Sequence, residues 1–70
     1  MKALGHKVLV KISGNQQFNF VWGKVINKGC KVDMDIEEGD EVYFDLKASL
    51  EIDDNEGLYL ISDHNLILKK

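Results

Sequence analysis

Apolar residues recur at every second position along most of this chain, the period of a half-buried strand. "HKVLVKI" sets Val8, Val10 and Ile12 on one face and Lys7 and Lys11 on the other. "FNFVWGKVI" puts Phe18, Phe20 and Trp22 on one side and Val21 and Val25 on the other, with Gly23 marking a bulge or a close backbone approach. "VDMDI" alternates strictly and predicts a strand with Val32, Met34 and Ile36 inward. "EVYFDL" turns Val42, Phe44 and Leu46 to one face. "SLEI", "LYLIS" and "NLILK" complete the strands, with turns expected at "SGNQQ", "NKG", "DDNEG" and "DH". No segment holds a helical period of useful length, and the chain has no proline. Many short strands at close spacing predict an all-β domain, a small and mostly antiparallel β-barrel. Its expected core is Val8, Val10, Val25, Val42, Phe44, Leu60 and Leu66. Aromatics at period two usually fill a barrel interior, so Phe18, Phe20 and Trp22 are expected inside, with partner anchoring as the alternative.

Seventy residues allow one domain, residues 1–70, with one small core. Such a core leaves little stability in reserve unless something staples it. The single Cys30 cannot form an internal disulfide, and metal frameworks need more Cys and His than this chain has. Self-association is the staple that remains. No apolar run reaches the roughly 18 residues of a membrane span, and Gly5, His6 and Lys7 interrupt the one stretch that resembles a leader. A cytoplasmic protein with no membrane partner is expected.

The formal charge is −3 and unevenly spread. Every acid except Asp63 lies between Asp33 and Glu56, a span in which Lys47 is the only lysine. All basic residues are lysines. Nucleic-acid readers lean on arginine forks and a basic stripe, so no nucleic-acid partner is expected. The acids do not form a calcium loop, which needs Gly at position 6 and Glu at position 12. Counted from Asp33, Phe44 falls at position 12, and counted from Asp53, His64 does. Asp33 and Asp35 read instead as the wet side of a strand. Glu37, Glu38 and Asp40 solvate a turn in which Gly39 takes a positive φ.

That turn carries a resemblance. "IEEGDEVYF" resembles the "V-K-V-G-D-x-V-x-F" segment of the GroES-like co-chaperonins. "HKVLVKI" is similar to that family's opening "D-R-V-L-V-K", and "WGKVINKG" to its "x-G-x-V-x-A-V-G". "LEIDDNEGLYLISDHNLILKK" resembles its closing "V-K-x-D-G-E-E-Y-L-I-L-x-E-x-D-I-L-A". The motifs fall in family order over nearly the whole chain, whose brevity is similar to that of reduced, phage-encoded relatives. The resemblance implies a GroES-like barrel that assembles into a homo-oligomeric ring, seven-membered by the family's rule, and caps or modulates a chaperonin in the cytoplasm, the host's if phage-encoded. Subunits would join first strand to last, through Ala3, Leu4, Val8, Leu66, Ile67 and Leu68. The chaperonin would meet the segment after the first strand: Gly14, Asn15, Gln16, Gln17, Phe18 and Phe20.

The departures from the family weigh on function. Its long mobile loop, with an apolar tripeptide at the tip, shrinks here to "SGNQQ". A few residues at about 3.3 Å each cannot reach far. The roof hairpin shrinks to "NKGCKVD". A barrel repurposed as a structural or adaptor protein, for instance in a phage particle or against a host factor, is the alternative. Enzyme activity, metal sites and cofactors are not expected. No nucleophile elbow surrounds Ser13, Ser49 or Ser62, and no glycine pattern cradles phosphate. His6 and His64 would meet if the first and last strands pair, but they lack a third ligand for zinc and otherwise read as two polar turn residues. Cys30 lies close to Lys28 and Lys31, a setting that favours thiolate chemistry, but a lone cysteine is more often inert.

Overall fold

The computed structural model describes residues 1–12, 19–53 and 55–70. Six strands form one sheet: β1 (Lys7–Lys11), β2 (Phe20–Lys28), β3 (Glu41–Asp45), β4 (Leu50–Asp53), β5 (Leu58–Ser62) and β6 (Leu66–Lys69). Single 3-10 turns at Leu46–Ala48 and Asp63–Asn65 precede β4 and β6. The order across the sheet is β4-β5-β1-β2-β3-β6, and every pairing is antiparallel. The expected all-β antiparallel class is therefore present. Its ladder ends at β4 on one side and β6 on the other.

The inner face follows from the alternation. Val8 and Val10 of β1, Val21 and Val25 of β2, Val42 and Phe44 of β3, and Tyr59 and Ile61 of β5 are buried in one cluster, with Leu46 and Leu66 packed against it. β-Branched side chains dominate, as suits a pleated interior. Leu60 departs from the expected core: it is half-buried and pairs in register with Leu9 and Leu50 on the other face. Its neighbours Tyr59 and Ile61 face inward instead. The expected close approach at Gly23 is present. A Cβ there would lie 3.0 Å from the Phe44 ring and 3.3 Å from Val10 Cβ, so the missing side chain makes room for the fully buried Phe44 ring.

Residues 32–36 are not a strand, contrary to their alternation. Val32 and Ile36 are buried in the core cluster, but their backbone turns instead of pairing with a neighbour. The Val32 N–H donates to Gly29 O and the Ile36 N–H to Met34 O. Lys28 Nζ donates to Ile36 O at 2.7 Å and fixes this connection to β2. The acid-rich turn then closes on itself. Gly39 has φ +92°, the Glu37 N–H donates to Asp40 Oδ2, and the Gly39 N–H donates to Val25 O.

Candidate partner-binding surface

β2 carries two faces of opposite character. Val21, Gly23 and Val25 are buried, whereas Phe20 is 45% and Trp22 38% exposed. This corrects the expectation that Phe20 and Trp22 are core residues. The alternation is as read, but the small residues of β2 face inward because Phe44 already fills the space over Gly23. Phe18, and with it Gly14, Asn15, Gln16 and Gln17, lies outside the described residues.

Antiparallel register builds the outer aromatics into a shelf. Trp22 lies opposite Tyr43 of β3, with ring centroids 5.1 Å apart. Phe20 stacks on the same Tyr43 at 5.9 Å. Leu68 of β6 pairs with Tyr43 from the far side and is 55% exposed. Lys70 Nζ sits 4.9 Å from the Trp22 centroid, within cation–π range, and also pairs with Glu41 at 3.2 Å. Asp45, opposite Phe20, accepts the Lys47 N–H and caps the following 3-10 turn. The shelf is thus a row of exposed rings with one cation above it, rooted where the 13–18 segment rejoins the sheet. Aromatics of this kind, partly exposed and stiffened by neighbours, are the side chains that anchor protein interfaces.

The expected subunit-contact residues divide. Val8 is fully buried in the core and Ala3 is buried. Leu4, Ile67 and Leu68 are exposed and Leu66 is half-buried. The expected contact edge, residues 2–8, is free of strand pairing only before β1, since β1 is bonded to β2 on one side and β5 on the other. The residues before it are held by a side chain. Asn27 Oδ1 accepts the Ala3 N–H at 2.8 Å and Asn27 Nδ2 donates to Met1 O at 3.0 Å, so the amide stands in for a strand partner. Among the described residues, β6 pairs with β3 on one side only.

The "DH" connector hides the single buried charged residue among those described, Asp63. Its carboxylate receives His6 Nδ1 on Oδ2 at 3.2 Å and His64 Nδ1 on Oδ1 at 2.5 Å. An ionised carboxylate only accepts, so both rings carry their hydrogen on Nδ1. The two rings lie edge to face, 5.9 Å apart. Burial alone would raise the Asp63 pKa, but the two histidine hydrogen bonds, and then their charges, hold it below its ordinary 3.8. His6 and His64 were expected as polar turn residues that would meet only if the first and last strands paired. They meet through Asp63, not through pairing of the first and last strands. No three His, Cys, Asp or Glu side chains among the described residues are grouped to hold a metal. Cys30 is a free, exposed thiol. No helix among the described residues is long and apolar enough to cross a membrane.

Compared with models of known protein families and with curated proteins, the sequence matches none.

Proposed function

We propose that this chain is a non-enzymatic binding protein of the co-chaperonin kind, which assembles into a ring and caps or modulates a chaperonin. The observation that carries the reading is the Phe20–Tyr43–Trp22 shelf. It stands at the root of the segment from which, in the family this sequence resembles, the chaperonin-binding loop leaves the barrel. The segment itself offers little apolar area: Asn15, Gln16 and Gln17 are polar. Affinity therefore rests on Phe20 and its neighbours, repeated around a ring so that weak single contacts add up.

The test separates binding from folding because Phe20 is half outside. Phe20→Ala should reduce chaperonin binding by about 2 kcal/mol per contact, yet cost about 1 kcal/mol or less of stability, the worth of one exposed aromatic pair. Binding by the wild type and its loss in the variant at nearly unchanged melting temperature is the expected result. A wild-type chain that captures no chaperonin defeats the reading. The adaptor or structural role then becomes the better account, as the loss of the apolar tripeptide from "SGNQQ" already favours.

A further inference from the structure

We infer that a second copy of this chain pairs its β6 edge with the β4 edge of the first, head to tail. The inference rests on the ring reading above and names the surfaces that would form the ring. Among the described residues, five pairings satisfy both sides of β5, β1, β2 and β3, and leave one open side each on β4 and β6. Both edges are apolar and exposed: Leu50 at 62% on β4, Ile67 at 52% and Leu68 on β6. Unpaired edges with exposed apolar residues attract other strands. β1, paired on both sides, cannot serve.

Charge selects the partner. β4 reads Leu50-Glu51-Ile52-Asp53 and continues into Asp54, while β6 ends in Lys69 and Lys70. A contact between two β4 edges gathers only acids and one between two β6 edges only lysines, with each charge set opposite an apolar residue at full antiparallel overlap, whereas β4 against β6 can set Lys69 directly opposite Glu51. Like charges directly opposite destabilise a strand pair, and opposite charges stabilise it. Each edge is therefore guarded against its own copy and complementary to the other. Charge therefore favours the heterologous contact over the two-fold one, and a heterologous contact closes into a ring when the rotation permits.

Direction and register follow. An even number of antiparallel strands leaves the two edge strands running oppositely, so a rotation that carries β4 of one copy beside β6 of the next joins them antiparallel and continues the same ladder. The register that sets Lys69 opposite Glu51 also sets Leu68 opposite Ile52. Lys69 Nζ already donates to Asp35 O at 2.6 Å and lies 3.7 Å from the Asp35 carboxylate and 3.6 Å from that of Asp40. These are surface pairs of small worth, and they leave the ammonium able to turn toward Glu51. Glu51 has no ion pair among the described residues.

The experiment uses the full chain in two arms. Native mass spectrometry and light scattering of the wild type at about 100 µM should show an assembled species, since assembly follows concentration. Glu51→Lys, with its melting temperature checked, should raise the concentration of half-assembly by about tenfold or more. In a Cys30→Ser background, Ile52→Cys and Leu68→Cys chains are then prepared separately, each with that one thiol. Oxidation should give a disulfide-linked pair only after the two are mixed. A monomeric wild type overturns this inference together with the ring reading. An assembled wild type unaffected by Glu51→Lys, or cross-linking within either cysteine variant alone, overturns the edge assignment and leaves the ring reading standing.

Discussion

The two faces of β2 share one backbone and one period, yet they do different work. Inward, Val21, Gly23 and Val25 are small, and the space they leave is filled from β3 by Phe44, which is fully buried. Outward, Phe20 and Trp22 are large and lean on Tyr43 without being covered. A six-stranded sheet of four- to nine-residue strands encloses little volume, so the inside holds two rings, Phe44 and Tyr59, while Phe20 and Trp22 go outside. Exposed rings in a chain this short are costly for solubility unless something covers them, which is why the outer face is the better place to look for a partner. Size of side chain alone is a poor guide to which face is inside when the interior is this small.

The largest expected effect breaks the inner face. Phe44→Ala removes a side chain with no solvent exposure that touches the Gly23 position from β3. Loss of transfer free energy plus a cavity typically costs about 3–5 kcal/mol for such a change, and a domain of this size has little more than that to lose. Chemical denaturation should show a chain unfolded or nearly so at 25 °C. A loss under about 1.5 kcal/mol, the cost of a volume-conserving core swap, would mean that the core relies on other residues.

A smaller effect comes from the buried carboxylate that joins the start of β1 to the turn before β6. Because its folded pKa lies below the unfolded one, Asp63 contributes stability that is present above about pH 4 and is lost as pH falls through the folded value. Asp63→Asn should therefore be less stable than the wild type at pH 7, and the gap should narrow as both are taken to acid. The amide oxygen can still accept from one histidine, but the amide carries no charge and its nitrogen cannot accept from the other. Melting temperatures measured from pH 7 down to about pH 2 check this. A gap that widens toward acid would reverse the assigned sign.

Much of the fold was legible in the sequence because period-two alternation survives wherever one side of a strand is wet. β1, β3, β4 and β5 fall where the alternation put them. What alternation does not encode is which of two apolar faces is inside, and that misplaced Phe20, Trp22 and Leu60. Nor does it encode whether a neighbouring strand is available. Val32 and Ile36 are buried as expected, but the chain between them turns because its backbone bonds locally to Gly29 and Met34. The shelf was half legible. Its aromatics were singled out, but Tyr43 was not, since its role depends on lying opposite Trp22 across a register that no local pattern reveals. Asp63 was missed for the same reason: its partners are His64 beside it and His6 at the other end of the chain.

The smallest expected effect sharpens the contrast with Phe44. Trp22 is the chain's one tryptophan, and its emission therefore reports the outer face alone. With its ring partly in water, emission should resemble that of the unfolded chain more than that of a buried indole, and an external quencher should reach it in the folded state. Trp22→Ala removes the ring contact with Tyr43, worth about 0.5–1.5 kcal/mol, and the Lys70 contact, worth about 0.5–1 kcal/mol at an exposed site. Together these set a cost of roughly 1–2.5 kcal/mol, short of the cost at Phe44. Lys70→Ala should cost less still, since it ends only the cation contact and a surface ion pair with Glu41. If Trp22→Ala instead proves as destabilising as Phe44→Ala, and the indole is shielded from quencher, then the aromatic row belongs to the core after all. The outer face would then lose its claim as a docking surface.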